Sequence, residues 1–362
     1  MSKYLNVFNT LAEYQAFSAS TEYVQPNVAL VKETNVLYYD YGDNKPHPNY
    51  TDYKVSSRSL VSDGGDTYGL GEKLCLNYIP SGVTSLKNAF SKWSSLEEVT
   101  CKIPGSVTNI ESTFSNCSSL VNAPVIPNSV TNMSYTFAGC TSLVTVPVIP
   151  NSVTNIESTF YGCTSLVNAP VIPNSVTNMS YTFQGCSSLV NAPVIPSSVT
   201  DMYSTFRDCT SLANAPVIPN SVTNIESTFY GCTSLVNALV ISNSVTSLSS
   251  TFNGCTSLVN APVIPSGVTS MYSTFGGCTS LVNAPEIPSG VTSMRDTFAG
   301  CTSLKEVTFL HTTPPSYKNT LSSCSKLETI YVPDKSVGAY KTATGWSQFA
   351  SRIKPLSKKP SE

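Results

Sequence analysis

The chain has 362 residues and a formal net charge of -2, and only 12% of its residues are charged. Without a basic excess, binding to nucleic acid or to an anionic membrane surface is not expected. Apolar runs are short, so no membrane insertion is expected. The first eight residues also lack an apolar stretch of signal-peptide length. We therefore expect a protein that stays in the cytoplasm or leaves by a signal-free route, such as release inside a virus particle.

Residues 1–42 differ in composition from the rest of the chain and are predicted to form a small α+β module. The sequence Thr10-Leu-Ala-Glu13 is a capping box, which predicts a helix to about Phe17. Two runs rich in β-branched and aromatic residues, 28–31 and 36–39, predict two strands. Residues 43–72 are rich in Gly, Pro, Asp and Ser, which favours a linker.

A 23-residue unit recurs over residues 73–332, which predicts a repeat solenoid of about 11–12 turns. In the copy that starts at Cys163, the residues Leu166, Ala169 and Val171 follow the spacing LxxLxL. This spacing predicts a short strand whose three marked side chains point inward. Prolines within and after this segment lack an amide donor, so each strand should be very short.

The second half of the repeat carries another apolar pattern. Val176 and Met179 lie three residues apart and Phe183 follows four later, which predicts a short helical or irregular turn. One unit cannot bury its apolar side alone, whereas stacked units can bury ladders of Leu, Val, Met or Ile, Phe and Cys. Residues 333–362 would then form a helical cap and tail. Their aromatic and apolar side chains can cover the open end of the stack.

Most of the twelve cysteines occupy one position of the repeat. They are Cys117, Cys140, Cys163, Cys186, Cys209, Cys232, Cys255, Cys278, Cys301 and Cys324. Such regularity indicates a structural role as small buried hydrophobes. Stacked cysteines would have parallel Cβ vectors, which disfavours disulfide bonds. No CxxC pair occurs, and Trp93 takes this position in the first unit, so we predict no metal and no cofactor.

No group of residues in the sequence supports catalysis, and we predict a non-enzymatic protein. His47 and His311 are the only histidines, and a catalytic triad or dyad would need one of them beside a nucleophile. We expect His311 to lie in an exposed loop. Glu286 occupies a strand position that is valine in neighbouring copies and is predicted inward, yet one carboxylate without a partner is poor support for acid–base chemistry.

Recognition is most easily carried by positions that differ between copies. The two residues after Met or Ile and the residue after Phe vary, and they should share one side of the solenoid. Tyr and Arg at exposed positions are frequent interface anchors. The predicted binding residues are therefore Tyr135, Tyr161, Tyr181, Tyr203, Arg207, Tyr230, Tyr272 and Arg295. The alternative is a solvated face under loose constraint.

The strand segment offers a second candidate surface. Asn122, Asn168, Asn191, Asn214, Asn237, Asn260 and Asn283 should form a ladder along it. Such ladders stabilise stacked parallel strands through bonds between side-chain amides. Carbohydrate binding is the alternative role of this ladder.

The repeat unit IP[NS]SVTxIxxTFxGCxSLxxxPV resembles the BspA-like leucine-rich repeats of gut bacteria and some protozoa. The segment from Asn132 to Leu143 also looks like the MxxxFxxCxSL repeats of mycoplasmal surface lipoproteins. The C-terminal segment from Leu327 to Ile353 is similar to the ending of such proteins from Bacteroidetes and their phages. The resemblance implies an α/β leucine-rich-repeat solenoid that serves adhesion and ligand binding. The unit departs from the BspA pattern by one extra residue before the turn proline and one fewer between Met or Ile and Phe.

The N-terminal segment resembles segments in tail proteins of Bacteroides phages. Together with the absent signal and the reduced cysteines, this favours a virion-associated tail or fibre component. Its partners would be proteins in a virion or on a host cell surface, or a glycan. One alternative is a BspA-type adhesin on a bacterial cell surface, which would need an export signal. The other is an intracellular scaffold.

Overall fold

A computed structural model describes residues 83–237 and 240–360, and before them the segments 3–8, 27–31, 36–39, 54–56, 59–61 and 74–79. The chain divides into two compact units, Met1–Leu166 and Val167–Glu362, here called unit 1 and unit 2. The helix predicted from Thr10 to Phe17 lies outside the described residues. Among the described residues, no helix is both long and apolar enough to cross a membrane.

Unit 1 contains the strands β1 to β7. They are β1 Lys3–Phe8, β2 Asn27–Val31, β3 Val36–Tyr39, β4 Lys54–Ser56, β5 Ser59–Val61, β6 Leu74–Tyr78 and β7 Leu96–Val99. Five strands form one sheet in the order β3-β2-β1-β6-β7, and all neighbours are parallel except β2 and β3. The strands predicted at 28–31 and 36–39 are therefore confirmed. An antiparallel pair, β4 and β5, lies within the segment predicted as a linker.

Unit 2 contains four parallel strands that belong to its C-terminal repeats and cap. They are β8 Asn283–Ile287, β9 Glu306–Phe309, β10 Thr329–Val332 and β11 Ile353–Pro355, in the sheet order β11-β10-β9-β8. One helix, α1 (Val337–Thr342), follows β10. Three short 3-10 turns accompany it, at Asp334–Ser336, Ser347–Phe349 and Leu356–Lys358. A repeat solenoid with short parallel strands and a helical C-terminal cap is confirmed.

The strand segment shrinks to a single parallel bridge in the repeats between β7 and β8. Asn122 pairs with Thr145 in unit 1, and Asn168 with Asn191 in unit 2. Prolines on either side of the exposed valine cannot donate to a ladder, which keeps the pairing this short. The prediction of very short strands is confirmed.

The predicted inward positions of the strand segment are partly wrong. In the repeat of Leu189, that leucine is fully buried, but Val194 is 88% exposed and Ile195 only 6%. Ala192 is half-buried. The extra residue before the turn proline shifts the register by one, and a shift of one residue turns each later side chain to the other face. The isoleucine takes the inward position that the LxxLxL template gave to the valine.

The second half of the repeat is a pair of turns, and the alternative of a helical turn is wrong. Tyr181 and Gly185 have φ angles of 59° and 75°, in the left-handed region that a right-handed helix excludes. Their amides donate to the next repeat, to the carbonyl oxygens of Tyr203 (2.9 Å) and Arg207 (2.7 Å). Backbone hydrogen bonds between repeats thus hold this side of the stack as well.

The predicted ladders of Leu, Val, Met or Ile, Phe and Cys are confirmed as the core of both units. Phenylalanine rings of successive repeats stack with centroids 5.5–5.8 Å apart in unit 2, from Phe183 to Phe298. In unit 1 the rings from Phe90 to Phe160 stack at 5.6–5.9 Å. Offset stacking of this kind adds to the burial of apolar area.

A column of buried threonines completes the core. Thr205 is fully buried, and its hydroxyl donates to the carbonyl oxygen of Met179 in the preceding repeat at 2.9 Å. The same bond recurs from Thr228 to Met202 at 2.7 Å and from Thr274 to Leu248 at 2.9 Å. Each hydroxyl satisfies a carbonyl group that the turn leaves buried, so the polar column is compatible with an apolar interior.

The cap closes the C-terminal end of unit 2. Trp346 is fully buried between Phe309, Tyr317 and Tyr340, with ring centroids 5.0–5.5 Å away. Its indole N–H donates to the carbonyl oxygen of Pro315 at 2.7 Å. The aromatic cluster therefore covers the last repeat, as a terminal element of a repeat array must.

Candidate recognition surface

The residues predicted to bind a partner lie in the second half of their repeats, the pair of turns that we call the turn segment. Tyr135 and Tyr161 belong to unit 1, and the other six belong to unit 2. Tyr135, Tyr161, Tyr272 and Arg295 are exposed, whereas Tyr181, Tyr203, Arg207 and Tyr230 are half-buried. They face outward because the side chains between them, such as Met202, Thr205 and Phe206, fill the core. The second variable position differs from expectation in some repeats, since Ser158 and Ser204 are buried there whereas Tyr135 is exposed.

Four of these residues form two contacting pairs within unit 2. The rings of Tyr181 and Tyr203 meet edge to face, with centroids 5.1 Å apart. The guanidinium carbon of Arg207 lies 4.2 Å from the centroid of the Tyr230 ring, a cation–π contact. We call these four residues the recognition patch. They come from three consecutive repeats, and the stacking of turns brings the two members of each pair together.

Arg207 gives the recognition patch an unusual charge. It is the only Lys, Arg or His in the sequence from residue 103 to residue 294. Its Nε lies 3.4 Å from the Oδ2 atom of Asp208, so a carboxylate accompanies the cation. Asp201 also shapes this turn, since its Oδ1 accepts a hydrogen bond from the Tyr203 amide at 2.8 Å. The Tyr230 ring thus packs against the guanidinium, while Asp208 lies near it as a counter-charge without a hydrogen bond to Nε.

The other predicted residues form separate, smaller contacts. In unit 1 the Tyr135 hydroxyl lies 3.4 Å from Oε1 of Glu157. Arg295 pairs with Asp296 through an Nε–Oδ2 distance of 3.1 Å. In the described part of unit 2, no ring contact or ion pair joins Tyr272 or Arg295 to the recognition patch. Within each unit, the predicted binding residues therefore form separate contacts.

The contact between Asn168 and Asn191 confirms one step of the predicted asparagine ladder. The side-chain amide of Asn191 donates to Oδ1 of Asn168 at 3.0 Å, beside the backbone bridge of the same residues. Both side chains are exposed. Sequence reasoning missed a second line of bridges, which includes Asn109 and Asn132. There Oδ1 of Asn132 accepts the amide of Ser134 and so opens the turn segment.

Two predictions about titratable residues are wrong. His311 is 7% exposed rather than in an exposed loop, and its Nε2 lies 2.7 Å from the carbonyl oxygen of Val291. Glu286 points outward, since it occupies the valine position of the strand segment. Its Oε1 pairs with Nζ of Lys359 at 3.0 Å. The described residues hold no group of three or more His, Cys, Asp or Glu side chains placed to bind a metal ion.

The cysteines that recur every 23 residues form a buried column, and their thiols donate hydrogen bonds to backbone carbonyl oxygens. Cys209 donates to the carbonyl oxygen of Phe183 and Cys278 to that of Phe252, both at 3.1 Å. Burial raises the pKa of Cys140 to about 12 and that of Cys324 to about 11. Thiols held neutral in this way are poor nucleophiles, because the thiolate is the reactive form.

Comparison with known proteins identifies the repeat. The profile of the BspA type leucine rich repeat region matches residues 73–190, 133–259 and 226–343, which together span about three quarters of the chain. The chain belongs to the BspA-type leucine-rich-repeat family. Members of this family are typically non-enzymatic surface or binding proteins. A comparison with curated proteins found no match.

Solved structures of bacterial leucine-rich-repeat proteins resemble this BspA-type chain. A leucine-rich repeat protein from Bacteroides ovatus is 22% identical, with a TM-score of 0.46 over 78% of this chain and 83% of the other. A leucine rich cell surface protein from Faecalibacterium prausnitzii is 25% identical, with a TM-score of 0.46 over 76% and 77%. A leucine-rich repeat protein of T. pallidum is 26% identical, with a TM-score of 0.37 over 55% and 86%.

Proposed function

We propose that this BspA-type protein is a non-enzymatic adhesin of a bacterial cell surface, which binds a protein partner through the recognition patch of Tyr181, Tyr203, Arg207 and Tyr230. The observation that carries the proposal is that Arg207 contacts Tyr230, and Tyr203 of the same repeat as Arg207 contacts Tyr181. Arg and Tyr are among the residue types that most often dominate binding energy at protein interfaces.

The patch is suited to a protein partner because its side chains are held in place. A guanidinium resting on an aromatic ring loses less conformational freedom on binding than a free side chain, which favours affinity. Its planar fork matches a carboxylate on the partner. The half-buried tyrosine rings offer apolar area with a polar hydroxyl at the edge, which suits the mixed chemistry of interfaces.

The predicted virion location remains a prediction, as does an origin from Bacteroidetes or their phages. Both rest on resemblances of the terminal segments, and no contact of the described residues favours them. Mass spectrometry of purified virions and of outer-membrane fractions distinguishes a virion location from a cell-surface location. Presence in particles and absence from the cell surface would overturn the adhesin proposal.

Binding of the fluorescently labelled full-length protein to cultured epithelial cells tests whether the recognition patch mediates binding. We expect the double variant Arg207→Ala/Tyr230→Ala to lower the affinity at least roughly tenfold, because truncated hot-spot residues commonly cost more than 1 kcal/mol each. The control is Thr210→Ala/Thr233→Ala, which changes exposed threonines at another position of the same repeats. Equal binding by the patch variant and the wild type would contradict the proposal.

Treatment of the cells distinguishes the kind of partner. Trypsin should remove the binding sites if the partner is a protein, whereas glycosidases should leave them intact. The opposite pattern would identify a glycan and would contradict a protein partner.

A further inference from the structure

A row of exposed valines runs along the strand segments of unit 2. It consists of Val171, Val194, Val217, Val240 and Val263, which we call the valine row. Each of these side chains is 86–88% exposed. Successive parallel strands lie about 4.8 Å apart, so the row spans about 19 Å. Valines are among the residues most often buried in folded proteins, and five in register on a surface need an explanation.

The surroundings of the valine row are apolar and uncharged. The next exposed apolar side chains are Val167, Val190, Val236 and Val259, at 40–46%. No Asp, Glu, Lys or Arg occurs in the nine-residue strand segments of these five repeats, for example 190–198. In the following repeat Glu286 takes the valine position and pairs with Lys359, which ends the row with charge.

The apolar area of this surface is large for an isolated protein. At roughly 100 Å² for each valine side chain, the valine row and its flanking valines expose about 600 Å², the upper end of what monomers show. A standard interface buries about 800 Å² on each partner. The valines, with the prolines and asparagines beside them, therefore supply most of the area that a stable dimer needs.

The surface is also complementary to a second copy of itself. Next to the row, Pro216, Val217, Val240, Pro262 and Val263 line a groove with a volume of about 800 Å³. The exposed valines recur at the repeat spacing, so a second copy of the same surface has matching periodicity. With no charge in the row, no like charges oppose each other when two copies meet.

We propose that the valine row is a docking surface for a second copy of this chain, related by a two-fold axis that passes near Val217. Within unit 2, Val217 is the middle of the five valines, and the exposed Val125 and Val148 hold the same repeat position in unit 1. The axis therefore places Val217 against its own symmetry mate, and it places Val171 against Val263 and Val194 against Val240. A two-fold interface uses the same patch on both copies. The recognition patch lies on the turn segments and stays free in such a dimer.

Sedimentation velocity of the full-length chain, over a range of concentrations, tests the dimer. We expect a dimer that Val217→Glu weakens at least roughly 100-fold, because two carboxylates would face each other across the axis in an apolar contact. The matched control is Thr223→Glu, which adds the same charge at an exposed turn position of the same repeat. Circular dichroism checks that both variants are folded.

A mixing experiment examines the symmetry itself. Val217→Glu and Val217→Lys should each be monomeric, and their equimolar mixture should recover the dimer, because opposite charges then meet at the axis. Failure of the mixture to dimerise would overturn the placement of the axis. A wild type that stays monomeric, or a dimer that Val217→Glu leaves intact, would overturn the proposal. If the wild type is monomeric and Val217→Glu instead abolishes binding to cells or to lipid vesicles, the occupant is that partner and not a second copy.

Discussion

Replacing Ile149 with alanine tests the inward register of the strand segment in unit 1. Ile149 is 4% exposed and its neighbour Val148 is 87% exposed. Ile149→Ala removes three buried carbon atoms, which at about 0.8 kcal/mol each is a loss of about 2.4 kcal/mol. The cavity that remains raises the expected loss of stability to about 3–4 kcal/mol. Val148→Ala, the matched control, should change the stability by less than about 0.5 kcal/mol.

The assay is urea denaturation of each variant, followed by circular dichroism. Because repeat arrays often unfold in more than one step, hydrogen–deuterium exchange in the neighbouring repeats supplies a local measure. Faster exchange next to Ile149→Ala and unchanged exchange next to Val148→Ala are expected. Equal losses for the two variants, or a larger loss for Val148→Ala, would refute the register and restore the original LxxLxL assignment.

Two further predictions concern the buried polar columns. Thr205→Val removes the hydroxyl that donates to the Met179 carbonyl and should cost about 1–2 kcal/mol in urea denaturation, whereas the exposed Thr223→Val should cost less than about 0.5 kcal/mol. The exposed Thr223 hydroxyl also donates, to the Thr200 carbonyl oxygen at 3.3 Å, so equal costs would show that burial adds nothing to the contribution of the bond. For Cys140, burial raises the pKa from 9.0 to about 12. Below pH 9 both states hold the proton. Between pH 9 and 12 the unfolded thiol loses it first, so the stability should fall as the pH rises. Urea midpoints below and above pH 9 check this fall, and rapid reaction of the native thiols with a bulky reagent would contradict their burial.

The strength of sequence reasoning here lies in its use of recurrence. Cys209 and Phe206 occupy positions that return every 23 residues, and such a period already requires stacked units with these side chains in register. The short strands followed from proline chemistry in the same way. The prediction of an exposed His311 is wrong because this residue stands outside the repeat, where no period indicates its burial.

The exposed valines show where a sequence template fails. A strand alternates its faces every residue, so one inserted residue reverses the assignment of the side chains that follow it. The extra residue before the turn proline was visible in the sequence, and it was the signal that could have placed Ile195 inside and Val194 outside. The positive φ angle at Tyr181 had no comparable signal, because a non-glycine residue in that region is uncommon and context decides it.

The 23-residue period by itself determined the fold class, the buried ladders and the structural role of the cysteines, because a unit that cannot bury its own apolar side must stack. Only the tertiary structure decided which variable residues meet. Tyr181 contacts Tyr203, and Arg207 contacts Tyr230, because successive turns bring residues about 23 positions apart side by side. It also decided that a row of valines faces outward. Which side chains of a strand point to solvent depends on the register, and composition and spacing leave the register open.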